Sequence, residues 1–182
     1  RIGSIVLQVK KISSPDSQQR TLAISEAIKR EGRQLMDFGG EVSQFQHRIS
    51  SLKIWNPLQE WPEMDTETLL GTNSVWLMPY LHLVNKPEDF KNLDLLQILR
   101  HSLDYGSQNT LDLLAPVKIQ VPSGSWIKLE YQANGEPPVL AVRLQEVFGW
   151  EETPLINQGK NPVILHLLSP GYKPVQITSD LK

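Results

Sequence analysis

At Pro116 the spacing of apolar residues changes from about one in 3.6 to one in two. A chain that switches period once, late in its length, must place a layer of helices before a set of strands. The expected class is therefore α+β: a helical layer over about 20–115 packed on a small, mainly antiparallel sheet over about 117–180, with a short strand at the N-terminus. From Thr21, Ile24, Ala27, Ile28 and Leu35 share one helical face, Gly32 sits inside that segment, and Gly39-Gly40 closes it. Val42, Phe45, Ile49 and Leu52 form a second stripe, with Glu41, Gln44, Gln46 and Arg48 turned outward and His47 on the flank. That pattern predicts a helix over 41–53 lying antiparallel on the first. Residues 54–65 carry Trp55, Pro57, Trp61 and Pro62, an irregular crossing whose indoles serve as apolar anchors more readily than as stacking surfaces for nucleobases. Helical pieces resume at Thr66–Leu70 and at Val75–Leu83, which Pro79 interrupts. Lys86-Pro87-Glu88-Asp89 opens another, whose stripe runs through Leu93, Leu96 and Leu103, and residues 107–115 make the last.

Beyond Pro116, Val117, Ile119 and Val121 alternate with Lys118 and Gln120, and Ile127, Leu129 and Tyr131 alternate with Trp126, Lys128 and Glu130. With Pro122-Ser123-Gly124 between them, these two runs read as a β-hairpin. Asn134-Gly135 marks the next turn, and the unbroken apolar run Val139–Val142 the next strand, predicted to be central in the sheet. Arg143–Phe148 reads as a helical turn or two, and residues 163–168 with 174–178, joined at Ser169-Pro170-Gly171, as a second hairpin. Ile2–Val9 is a strand that either pairs with these or belongs to a preceding domain. The division expected is 1–15 for that strand, 16–116 for the helical part and 117–182 for the strand-rich part of the same unit.

The net charge of −2 is unevenly spread: nine Lys/Arg against six Asp/Glu in residues 1–60, three against eight in 61–116, and six against six in 117–182. Counterion release needs clustered cations, so this balance is a poor footprint for a stand-alone nucleic-acid binder. The basic group Lys29, Arg30 and Arg33 is the best candidate surface, although Glu26 and Glu31 interleave as on an ordinary solvated helix face. Cysteine is absent, which excludes disulfides and thiolate chemistry and suits a reducing compartment. No apolar run is long enough to span a bilayer and Arg1-Ile2-Gly3-Ser4 is no secretion signal, so the expected location is cytoplasmic and membrane-free. A start without methionine reads as an excised piece.

Motifs for catalysis are missing from the sequence. There is no Gly-x-x-x-x-Gly-Lys-Ser/Thr loop and no Asp-Glu-x-His box, so no nucleoside triphosphatase motor is expected here. His47, His82, His101 and His166 are scattered, without His-Glu-x-x-His, and imply no metal site. Ser123-Gly124-Ser125 suits a strand-to-strand turn, not a nucleophile elbow. The adjacent Glu151 and Glu152 point apart and have no desolvating pocket to tune them. Arg143, Gln145 and Glu146 follow an apolar strand and could line a groove, though Arg143 and Glu146 are spaced as an internal i,i+3 pair. No catalytic residue is assigned.

Trp76-Leu77-Met78-Pro79-Tyr80-Leu81, Leu93-Asp94-Leu95-Leu96, Leu114-Ala115-Pro116, residues 121–125, Tyr131, residues 138–149, Thr153-Pro154, residues 165–170 and Pro174-Val175-Gln176 with Thr178 and Asp180-Leu181 occur in that order. Together they resemble the C-terminal region of the HrpB-type bacterial ATP-dependent helicases; the first sixty residues are similar only in pattern. The resemblance implies a parent of the DExH class whose two RecA-like domains bind ATP with Mg and translocate on RNA, followed by accessory domains of winged-helix, helical-bundle and barrel kinds. The strand at Ile2–Val9 would be the last of that barrel. This piece would hold no cofactor itself. Its partners would be the helicase core of the same chain and single-stranded RNA, with Lys128, Arg143 and Gln145, then Lys29, Arg30 and Arg33, as the polar contacts. The other reading is a protein-interaction module that recruits a partner through a sheet edge or the Trp-rich loop. The chain departs from the family pattern in two places: Trp126 and Lys128 replace a basic or apolar pair, and no arginine follows Thr153-Pro154, which counts against that loop as a phosphate grip.

Overall fold

The computed structural model describes residues 17–179; the expected strand at Ile2–Val9 and the terminal Asp180-Leu181 lie outside them. Among the described residues six α-helices, α1 (Ser17–Leu35), α2 (Gly40–Trp55), α3 (Thr66–Gly71), α4 (Asn73–Trp76), α5 (Leu95–His101) and α6 (Tyr105–Leu114), precede the strands. Two 3-10 segments, Met78–Leu83 and Pro87–Asn92, lie between α4 and α5. The α+β class follows directly from the change of period at Pro116.

Three of the helices start at an aspartate cap. Asp65, Asp94 and Asp104 accept the backbone N–H of Thr68, Gln97 and Ser107 and so cap α3, α5 and α6. The Asp94 cap also splits the expected run from Pro87 to Tyr105: a 3-10 turn ends at Asn92 and α5 starts afresh at Leu95. Gly32 lies in the buried face of α1, where a Cβ would come 2.3 Å from Leu70 Cδ2, so glycine lets α1 settle on α3. Ser25 Oγ donates to Asn73 Oδ1 at 2.8 Å, a buried polar tie between α1 and α4.

The expected antiparallel pairing of α1 with α2 is replaced by a division of labour. α1 packs on α3, α4 and the two 3-10 segments, while α2 packs on α5, α6 and the turn at Ala133–Gly135. Val42, Phe45, Ile49 and Leu52 are buried as predicted, but Arg48, expected to face outward, is only 4% exposed. It stands one turn from both Phe45 and Leu52, and a helix enclosed on two sides buries the flank of its stripe as well as the centre. Its guanidinium donates to the Ala115 carbonyl at 2.6 Å and to Asp112 Oδ1 at 2.6 Å, and Arg100 donates to Asp112 Oδ2 at 2.8 Å.

The strands β1 (Lys118–Gln120), β2 (Trp126–Lys128), β3 (Val139–Arg143), β4 (Leu155–Ile156), β5 (Asn161–Pro162), β6 (Ile164–Leu168) and β7 (Pro174–Thr178) form three small sheets where one was expected. β1 and β2 are the predicted antiparallel hairpin, turned at Gly124, whose φ of 90° suits glycine. β6 and β7 are the second. β3, however, pairs with β6 in parallel, because the crossover through 144–163 brings the chain back to the same end. The order β3-β6-β7 makes β6 the central strand, not β3. β3 is apolar because Val139, Leu140 and Val142 are buried and its first residue also bridges Glu130. The hairpin β4–β5 was not anticipated; Asn157, Gln158 and Gly159 turn it with φ of 52°, 56° and 82°.

One hydrophobic cluster runs from Ile28 through α2 to Leu140, Leu165 and Leu167. Burying each such side chain contributes about 1.5–3 kcal/mol. Trp61 belongs to this cluster, and Trp55 donates its indole N–H to the Gly135 carbonyl at 2.7 Å, with its ring 6.4 Å from that of Tyr131. Both indoles are thus anchors.

Candidate nucleic-acid interface

The cations named from sequence fall into three separate places. On α1, Lys29 donates to Glu26 at 2.7 Å and Arg33 Nε to Glu67 at 2.7 Å, while Arg30 is exposed beside them. Hydrogen bonding from Lys29 first, and its charge second, holds the Glu26 carboxyl below its ordinary value. This face carries its own counter-charges.

After β3, Arg143 donates to Glu146 Oε1 at 2.9 Å, and its guanidinium lies 5.6 Å from the centre of the Tyr172 ring. The Glu146 side chain is almost sealed, and its hydrogen bond and then its charge raise the Arg143 pKa further. The predicted i,i+3 pair is therefore formed, and Arg143 is stacked and satisfied. Gln145 is exposed on the 3-10 turn beside it. The backbone N–H of Ser123 donates to the Glu146 carbonyl at 3.2 Å, which fastens this turn to the tip of the β1–β2 hairpin.

The third place is the hairpin itself. Lys118 is registered opposite Lys128, and Gln120 opposite Trp126. Residues directly opposed in an antiparallel pair share a face, as do residues two apart on one strand. Lys118, Gln120, Trp126 and Lys128 therefore occupy one face of the ribbon, and all four are exposed, Trp126 to 63%. Ile119 and Ile127 form the opposite face and pack on the core. The base of the ribbon is held by Leu129 N–H to the Val117 carbonyl at 2.9 Å and by the buried Tyr131 hydroxyl, which donates to the Pro116 carbonyl at 2.8 Å. Burial pushes the Tyr131 phenol pKa up, so it stays a donor across the ordinary pH range. Lys128 reaches Glu41 at 3.1 Å, whereas Lys118 has no ion pair among the described residues.

Among the described residues no group of three or more His, Asp or Glu is placed to hold a metal ion, and no helix is long and apolar enough to cross a membrane.

The family described as ATP-dependent helicase C-terminal, of the HrpB type, matches residues 76–182, the stretch that carries the ordered motifs from Trp76 onward. The chain belongs to the HrpB helicase C-terminal family. It is 37% identical over 181 residues to the ATP-dependent RNA helicase HrpB of Escherichia coli (strain K12), covering 100% of this chain and 22% of that protein. The crystal structure of the E. coli DExH-box NTPase HrpB is similar with a TM-score of 0.87 at 38% identity, over 93% of this chain and 21% of that one. A crystal structure of the Escherichia coli DEAH/RHA helicase HrpB is similar with a TM-score of 0.83 at 36% identity, over 94% and 22%. This HrpB-type chain thus spans about a fifth of the length of those relatives. The likeness also reaches the first sixty residues, where motifs alone were weak.

Of the six residues singled out from sequence, the HrpB-type fold brings Arg143 and Gln145 together and leaves Lys128 and the α1 group apart from them. Lys118, Gln120 and Trp126 were missed as a set. The signal was present, because Lys118 and Gln120 alternate with buried residues just as Trp126 and Lys128 do. Only the register shows that the two pairs face the same way.

Proposed function

We propose that this chain is the accessory C-terminal module of an ATP-dependent RNA helicase, without a motor of its own, docking on the helicase's other domains and contributing to RNA handling in the cytoplasm. ATP and Mg would be held by those other domains, since this sequence has neither phosphate loop nor metal box. The observation that carries the reading is a likeness that covers this chain entirely but only 22% of the RNA helicase it matches. A module of that kind works against the remaining four fifths.

Docking has support in β7. It is the outer strand of its sheet, no strand pairs with its far side among the described residues, and Val175 and Ile177 are exposed to 60% and 64%. An outer strand that presents exposed apolar side chains such as Val175 and Ile177 is what an extended segment of another domain adds to, through main-chain hydrogen bonds. The occupant proposed is the helicase's own remaining chain. Recruitment of an outside protein is the competing reading of the same edge.

The test is to produce residues 1–182 and the rest of the helicase as two polypeptides. The expected result is that they co-elute, that Ile177→Arg separates them, and that only the larger piece hydrolyses ATP. ATP hydrolysis by residues 1–182 alone, or co-elution indifferent to Ile177→Arg, would contradict the proposal.

A further inference from the structure

We infer that the outer face of the β1–β2 hairpin, Lys118, Gln120, Trp126 and Lys128, grips single-stranded RNA. The inference rests on the helicase reading above and assigns the RNA-binding surface within it.

Two lysines directly opposite one another on a ribbon repel and cost stability relative to a neutral pair. An exposed indole two residues from one of them costs solvation that a polar residue would not. Both liabilities sit on one face, while the reverse face, Ile119 and Ile127, is partly buried against the core. The same two features are what a single strand requires: cations to follow its phosphates and an aromatic plane on which a base can stack. Trp126 and Lys128 lie about 6.6 Å apart along the strand, from a rise of about 3.3 Å per residue. Gln120, across from Trp126, offers an amide to the edge of the stacked base. Its Nε2 is engaged only by the Gly124 carbonyl, at 3.2 Å, a bond near the limit of usefulness.

The other candidate cations lack one part or the other. Lys29 and Arg33 are each paired with a carboxylate. Arg143 has an aromatic neighbour, but its guanidinium is occupied by Glu146 and Tyr172. On the hairpin, Glu41 answers one lysine only. Glu130, exposed two residues beyond Lys128, places a second carboxylate toward the base of the ribbon. RNA is favoured over a protein partner because the face is charged and amphipathic, whereas the apolar β7 edge is not. The backing is rigid: the ribbon is pinned at its base by Tyr131 and at its tip by Glu146, so the face is preorganised.

The experiment uses the intact helicase that carries this module, with fluorescein-labelled oligouridylate as the probe and affinity measured across a salt series. Trp126→Ala is expected to weaken binding roughly tenfold, and Trp126→Phe to recover most of it. Lys118→Ala with Lys128→Ala is expected to lower the slope of log affinity against log salt by about 1.4, at about 0.7 for each phosphate left without its lysine. If these variants keep the parent affinity and slope while RNA still stimulates ATP hydrolysis, the hairpin assignment is overturned and the helicase reading stands. If the unaltered protein neither binds the probe nor responds to RNA, both fall. If Trp126→Ala only loosens the module from the other domains, the face is a protein-docking surface and the inference is wrong.

Discussion

The helices of residues 17–114 and the strands of residues 118–178 protect their apolar residues in different ways. Among the helices, α2 is enclosed by α5, α6 and the turn at 133–135, and even the flank of its stripe is sealed, with Arg48 bound to Asp112 and to two backbone carbonyls. Among the strands, burial is one-sided and falls off outward: β3 and β6 bury Leu140 and Leu165 completely, the hairpin partly buries one face, and β7 is exposed from Pro174 to Ile177. The strand-rich part is therefore supported from within by the helices, and its outer residues are exposed among the described residues. Stability and binding surface are divided between the two regions.

The sharpest way to break this contrast is to empty equivalent sites in each. Leu52→Ala in α2 and Leu140→Ala in β3 both remove a fully buried leucine, and each is expected to cost about 3 kcal/mol in denaturant unfolding. Equal losses in one cooperative transition would show that the inner strand belongs to the helical core. Two separate transitions would show that it does not.

A smaller effect is expected at the charged junction. Arg48→Met leaves the Ala115 carbonyl without its side-chain donor, while the Leu111 carbonyl keeps the Ala115 N–H and Asp112 keeps Arg100, for a cost of about 2 kcal/mol. Burial of the Asp112 carboxylate opposes its ionisation, but hydrogen bonds from Arg100 and then Arg48 outweigh that and hold its pKa below the ordinary value. A folded-state pKa below the unfolded one gives stability that is whole above about pH 4 and is lost as pH falls through the folded value. Asp112→Asn should therefore lower the neutral part of a melting-temperature profile and flatten its acid limb, with the least change at the acid end.

The smallest effect belongs to the outer strand, where Ile177→Thr should change stability by no more than about 0.5 kcal/mol. A loss comparable with that of Leu140→Ala, measured in the same unfolding experiment, would place β7 in the core and remove the contrast altogether.

Much of the fold was legible before any coordinates. The stripe Val42, Phe45, Ile49 and Leu52 is buried as its spacing demands, the hairpin turns at Pro122-Ser123-Gly124, and β6 and β7 pair as expected. Long amphipathic segments announce their buried side because periodicity is a property of the local chain. The misreadings concern relations between segments. Arg48 was turned outward because charge outweighs position on a helical wheel when the neighbours are unknown, and β3 was made central because an apolar run does not say which strand lies beside it. The β4–β5 hairpin was missed because two-residue strands carry no period; its Asn157-Gln158-Gly159 turn was the signal available.

The candidate surface divides along the same line. Local spacing identified the Arg143–Glu146 pair, and the order of motifs from Trp76 onward led to the helicase family. It could not reveal that Lys118 stands against Lys128, since opposition across a hairpin depends on register, and register is settled by which residues the core accepts on the inner face. What the amino acids determined alone was the kind of each element and the order of the layers, because both follow from short-range spacing. What the tertiary structure decided was which side chains meet, because distant residues are brought together only once the helices and strands have packed.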